Sequence, residues 1–249
     1  VNTTAATPHS LSDPAGAGRF VTSQSLLSLD ARHPFTGKSL IDAQDMHRTV
    51  MSGFLGWLDD GSPGPRSRMG VLSTWTIDLE KARLNLVVQA SVPADWSRIP
   101  RAALARTPET LTVDRTFRIG DRVDFRAVVN PVRSVPPPAG SSPNTRGTRV
   151  PHTRPEYVKK WFVRRLQALG EPAVAPDGVT RIGADTDAER LAVRMLPRVS
   201  SPMTRKNLRI ARAEIHGTLT VTDPETFVAA LGQGVGHARA YSCGLILVR

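Results

Sequence analysis

Two places in this sequence hold side chains that could do chemistry. The first is His47, within Asp45-Met46-His47-Arg48-Thr49. An imidazole titrates near neutral pH and can accept or give a proton. On residue type alone, one histidine beside an apolar stripe is more often structural than catalytic. The second is the run Gly234-Val235-Gly236-His237-Ala238-Arg239-Ala240-Tyr241-Ser242-Cys243-Gly244-Leu245. Glycine lets the backbone approach a phosphate closely, with successive N–H groups turned to its oxygens. Arg239 adds a bidentate cationic fork. A dinucleotide-binding G-x-G-x-x-G would need a preceding strand, a following helix and a second strand; too little chain follows for that. His237 could add acid–base function or face solvent.

Charge points the same way. The chain of 249 residues has a formal net charge of +11, with arginine well ahead of lysine. Such a balance attracts polyanions, because each neutralised phosphate releases counterions; an arginine-rich solvated surface is the bland alternative. Basic residues concentrate at Arg194, Arg198, Arg205, Lys206 and Arg209, and again at Lys159, Lys160, Arg164 and Arg165. His9, His33, His152 and His216 have no supporting constellation. No carboxylate or histidine cluster has metal-ligand spacing, so neither a metal nor a cofactor is expected. Cys243 is the single cysteine, which excludes an internal disulfide and suits a reducing cytoplasm. No run of about 18 apolar residues exists, so no membrane partner is expected. Val1–Gly18 reads as a disordered tail.

The elements that must position these groups follow from periodicity. Arg19–Leu29 reads as a strand. Asp42–Asp60 has helical spacing at Met46, Val50, Phe54, Trp57 and Leu58, with Asp42 as N-cap and Asp-Asp-Gly-Ser-Pro-Gly-Pro as its stop. Val71–Asp78 and Leu84–Ser91 read as a hairpin. Ala94–Ala105 suggests a short helix broken by Pro100, and Thr110–Val113 and Asp121–Val129 are further strands. Residues 134–154 form a Pro-, Gly-, Ser- and Arg-rich linker that cannot be a core element. Pro155–Gly170 is an amphipathic helix. Strands follow around Leu191–Leu196 and over Leu208–Val221, where Gly217 marks a bulge or bend. Asp223 and Pro224 open a helix to Leu231, and Gly244–Val248 closes the chain as a strand. The expected organisation is a tail over 1–18, a first domain over 19–133, a linker over 134–154 and a second domain over 155–249. The fold class is α+β: two tandem ferredoxin-like βαββαβ domains with antiparallel sheets.

Three segments together resemble the CasE-type endoribonucleases of the type I-E CRISPR system: Asp45–Thr49, Asn130-Pro131-Val132-Arg133, and Gly234–Leu245. Their order and spacing match along most of residues 19–249. The resemblance implies two ferredoxin-like domains that bind the stem-loop of a CRISPR repeat and cleave at the 3′ base of the stem without metal. The attacking group is a ribose 2′-hydroxyl, and the products are a 2′,3′-cyclic phosphate (or 3′ phosphate) and a 5′-hydroxyl. The enzyme then stays on its product as a subunit of the Cascade surveillance complex. By the same resemblance His47 is the catalytic residue, as base or as acid. Arg48, Ser52, Gly234, Gly236 and Arg239 become candidate RNA contacts. Arg194, Arg198, Arg205, Lys206 and Arg209 become a hairpin that reaches the RNA stem. The family often has tyrosine three residues before its histidine, where this chain has Gln44. Ser52, Arg239 and Ser242 also depart from its usual residues. A catalytically lapsed hairpin-binding subunit of the same fold is the alternative, and a generic RNA-binding protein is a third.

Overall fold

The computed structural model describes residues 16–57, 64–140, 142, 147–202 and 208–249. Most of the expected N-terminal tail, along with Arg205 and Lys206, lies outside the described residues. Strand β1 (Ala17–Asp30) alternates buried and exposed positions along most of its length. Helix α1 (Pro34–Ile41) follows, capped by the His33 side chain, which accepts from Phe35 N–H. Helix α2 (Ala43–Met51) is capped by Asp42, whose carboxylate accepts from Gln44 N–H at 2.7 Å. The expected helix over Asp42–Asp60 therefore ends early, and the chain continues as a 3₁₀ turn over Ser52–Trp57. Gly53 falls in that turn because the Trp96 ring lies where its side chain would be.

After the short helix α3 (Pro65–Arg68) come β2 (Leu72–Asp78), β3 (Arg83–Ala90) and β4 (Glu109–Arg118). They form one antiparallel sheet with β1, in the order β2-β3-β1-β4. The expected helix over Ala94–Ala105 is only a 3₁₀ turn at Arg101–Ala103. The α2 face carrying Met46 and Val50 packs with Phe54 against Leu27, Leu84, Leu86 and Val88 of the sheet. That burial fixes the helix on which His47 stands.

The second unit contains β5 (Arg122–Val129), β6 (Val132–Val135), β7 (Thr148–Pro151), α4 (Pro155–Val163), β8 (Ala184–Asp185), β9 (Ala192–Ser201), β10 (Leu208–Val221), α5 (Pro224–Gln233) and β11 (Ile246–Val248). Its sheet runs β11-β5-β10-β8, with β9 also paired to β10. Taken as β5-α4-β9-β10-α5-β11, this is the ferredoxin-like order, and the first unit has the matching strand order with a 3₁₀ turn in place of its second helix, so the chain is two such units in tandem.

Several boundaries differ from expectation. Strand β5, read as part of the first domain, pairs with β10 and β11 of the second sheet. The chain crosses between sheets at a turn where Gly120 has φ +90 and Asp121 accepts from Arg118 N–H. Alternation identifies a strand but not the sheet it joins. The break expected at 133/134 therefore does not coincide with the change of sheet. The linker is not wholly irregular, since β6 and β7 pair across it as a two-stranded arm. Helix α4 stops short of Gly170, because the Gln167 N–H bonds the Ala184 carbonyl instead of continuing the helix. The register shift in β10 falls between Ile210 and Arg212, not at Gly217. Gly217 instead lets the Arg190 carbonyl approach where a Cβ would stand.

The two units are tied together. Phe20 and Phe117 of the first sheet enter the core of the second unit, with Phe117 edge-to-face on Phe227 of α5 at 5.1 Å. Gln89 donates to the Leu231 carbonyl, and Ser73 bonds Ser242 at 2.9 Å, both buried. These contacts set the C-terminal loop against α2. No helix among the described residues is long and apolar enough to cross a membrane.

Candidate functional site

His47 stands half-buried on α2, one position beyond the buried Met46. Its ring meets Tyr241 edge-to-face with centroids 6.1 Å apart. The Ala240 backbone beside the ring favours its protonated form. A neutral imidazole keeps one ring nitrogen able to accept a proton. Burial, and then the guanidinium of Arg66 and more weakly that of Arg48, hold the imidazole below its ordinary pKa. The neutral form is therefore the resting form at pH 7.

The loop that meets His47 runs from the end of α5 into β11. A 3₁₀ turn at Arg239–Tyr241 lies between Ala238 and Ser242, both left-handed at φ 58. Gly234 (φ +75) and Gly236 (φ +77) are glycine for packing. A Cβ on the first would lie 2.9 Å from the Leu72 side chain, and one on the second 2.9 Å from the Trp161 ring. Their side-chain faces are filled by protein, not left open to a ligand. Arg239 donates to the Gln233 carbonyl at 2.8 Å and lies close enough to Arg66 to lower its pKa, after burial.

The remaining expected residues divide. Arg48 is exposed and paired with Asp45 at 2.7 Å. The Ser52 hydroxyl donates to the Thr49 carbonyl at 2.8 Å, so it is turned back onto its own helix. Arg194 shares the buried Glu214 with Arg126. Arg198 and Arg209 are exposed on the β9–β10 ribbon. That ribbon packs on α2 through β9, with Val199 beside Ala43, Met46 and Tyr241. The structure thus places Arg48 beside His47 and Arg239 on the turn whose Tyr241 meets His47, and carries Arg198 and Arg209 on an adjoining element. His237 lines a separate cleft beyond Arg239.

Two residues of the candidate site were not singled out from the sequence. Arg66 follows the Gly-Pro breaker, and α3 places it near His47, with Nη1 donating to the Val71 carbonyl at 2.6 Å. Tyr241 lay inside the glycine-rich motif without a role. Its hydroxyl donates to the Gln44 amide oxygen at 3.2 Å, so a phenol stands beside residue 44 from the other side of the site. Among the described residues, no three His, Cys, Asp or Glu side chains converge as metal ligands.

The family described as CRISPR associated protein matches residues 24–249. A solved CRISPR endoribonuclease Cse3 bound to 19 nt RNA is 24% identical with a TM-score of 0.64, covering 94% of this chain and 100% of its own. Cas6e from Escherichia coli K-12 is 17% identical at a TM-score of 0.59, covering 92% and 98%. A chain of a CRISPR RNA-guided surveillance complex is 20% identical at a TM-score of 0.53, covering 90% and 98%. At these identities the likeness is one of fold. No curated protein sequence matches the chain.

Proposed function

The chain belongs to the CRISPR associated protein family, and from that premise we propose that it is a CasE-type endoribonuclease that cuts CRISPR precursor RNA at the 3′ base of the repeat hairpin. The observation that carries this reading is the meeting of His47 with the Arg239–Tyr241 turn across a site flanked by Arg66. The similar Cse3 is named an endoribonuclease and is bound to RNA, and the fold is shared with a surveillance-complex subunit. Both support hairpin RNA and other Cascade subunits as partners.

In the proposed reaction the scissile phosphate lies between His47 and the loop. Arg66 and Arg239 neutralise its oxygens as negative charge builds on phosphorus. The neutral His47 ring takes the proton of the neighbouring 2′-hydroxyl, and the 2′ oxygen bonds to phosphorus. The bond from phosphorus to the 5′ oxygen breaks, and that oxygen leaves and takes a proton from water. A 2′,3′-cyclic phosphate and a 5′-hydroxyl result. No step of this proposed reaction calls on a metal ion. The ribbon carrying Arg198 and Arg209 holds the stem by its phosphates and shape, since A-form grooves are poorly readable.

Incubation of the purified chain with a repeat hairpin in EDTA tests this. The expected result is one cut leaving a cyclic phosphate. Binding without a cut would mark a lapsed hairpin binder, and equal affinity for unrelated hairpins would mark a generic RNA-binding protein.

A further inference from the structure

A second cationic space opens on the far side of the glycine-rich loop from His47. It is a cleft of about 980 Å³ between α4, the β6–β7 arm and the loop. Small-molecule pockets span roughly 300–1,000 Å³, so it is at the upper limit for one compact ligand. Arg239 lines it and also lies near Arg66, so one cation borders both this cleft and the proposed catalytic site. Arg133, Lys160 and Arg165 line it without an acidic partner within ion-pair distance among the described residues. Its one lining carboxylate, Asp177, is already held by Arg164. On its wall the rings of His152 and Tyr157 lie nearly parallel, 28° apart with centroids 6.0 Å apart, and Tyr157 is 48% exposed.

Unpaired cations spaced along a groove, with an exposed aromatic face between them, are the two parts of a single-stranded nucleic-acid site. A duplex hides its base faces in the stack and offers such rings nothing. We propose that this cleft binds the unpaired ribonucleotides that adjoin the repeat hairpin, stacking a base on Tyr157 and holding the backbone with Arg133, Lys160 and Arg239. The inference rests on the ribonuclease reading for what brings the strand there. The strand on either side of the stem has the same chemistry.

The test measures affinity of the full chain for three repeat hairpins blocked by a 2′-deoxy group at the scissile nucleotide: one without overhang, one with an unpaired 3′ extension, one with an unpaired 5′ extension. One extension is expected to tighten binding about tenfold, as base–aromatic stacking does, and which one does so identifies the strand. Tyr157→Ala should abolish that gain and leave the blunt hairpin unaffected, while Tyr157→Phe keeps it. Arg133→Ala and Lys160→Ala should each reduce the salt slope of the extended RNA by about 0.7. The proposal is overturned if neither extension changes affinity, or if Tyr157→Ala weakens the blunt hairpin equally. Should the wild-type chain show no preference for the repeat hairpin, the ribonuclease reading fails. The cleft is then judged on an unstructured oligoribonucleotide, where weakening by Tyr157→Ala sustains it and no effect ends it.

Discussion

His47 and Tyr241 meet edge-to-face at 6.1 Å, one from the first ferredoxin-like unit and one from the last loop of the second. The contact joins the proposed proton-transfer group to the turn that carries Arg239. Tyr241 also reaches Gln44 on the same helix as His47, so it holds that helix at two positions. Tyr241→Ala is expected to lower single-turnover cleavage by about 10- to 100-fold, the scale of a reacting group misplaced by about 1 Å, with hairpin affinity kept. Tyr241→Phe should retain most of the rate, because the ring stays in place.

Arg66 lowers the His47 pKa, second only to burial. Removing it lets that pKa rise toward its ordinary value. If the neutral ring is the base, the acid limb of kcat/KM, which reports the free enzyme, moves to higher pH in Arg66→Ala, and the plateau also falls because a phosphate cation is lost. An acid limb that does not move in this variant would detach Arg66 from His47.

Three histidines share one pH response. His47, His152 and His237 are each held low first by burial and then by arginines. A folded-state pKa below the unfolded one means the unfolded chain binds more protons as pH falls. Their contribution is complete above about pH 6.5 and is lost as pH drops through the folded values. Denaturant midpoints should decline over that window, and the doubly substituted His152→Asn/His237→Asn chain should decline less.

Gly236 offers a test of packing against ligand approach. Its φ of +77 and the Trp161 ring at 2.9 Å from a hypothetical Cβ both oppose a side chain. Gly236→Ala should cost more than about 1 kcal/mol of stability without RNA, read as a fall in the melting temperature. An unchanged melting temperature with lost RNA binding would return this glycine to phosphate contact.

Much of this was legible in the residues. Asp42 before an apolar stripe and Asp223-Pro224 before another announced their helices by cap chemistry, and β1 and β10 by alternation. Helix α1 was not legible, because its buried positions are Thr36 and Ser39, polar residues that leave no apolar stripe; Ser39 is satisfied by the Thr49 hydroxyl. The membership of β5 was hidden because a Gly-Asp turn reads as a hairpin whether the next strand pairs back or crosses to a new sheet. Within the site, His47 and Arg239 came from motif context. Arg66 and the cleft at Tyr157 depend on contacts between distant segments, which no local pattern encodes.

The proposed role of His47 is put at stake by single-turnover cleavage of the repeat hairpin by His47→Ala, with binding measured on the same RNA. A rate loss of about 10²- to 10⁴-fold, the worth of positioned acid–base help, is expected at unchanged affinity. Cleavage at the wild-type rate, or a loss wholly accounted for by weaker binding, would contradict it.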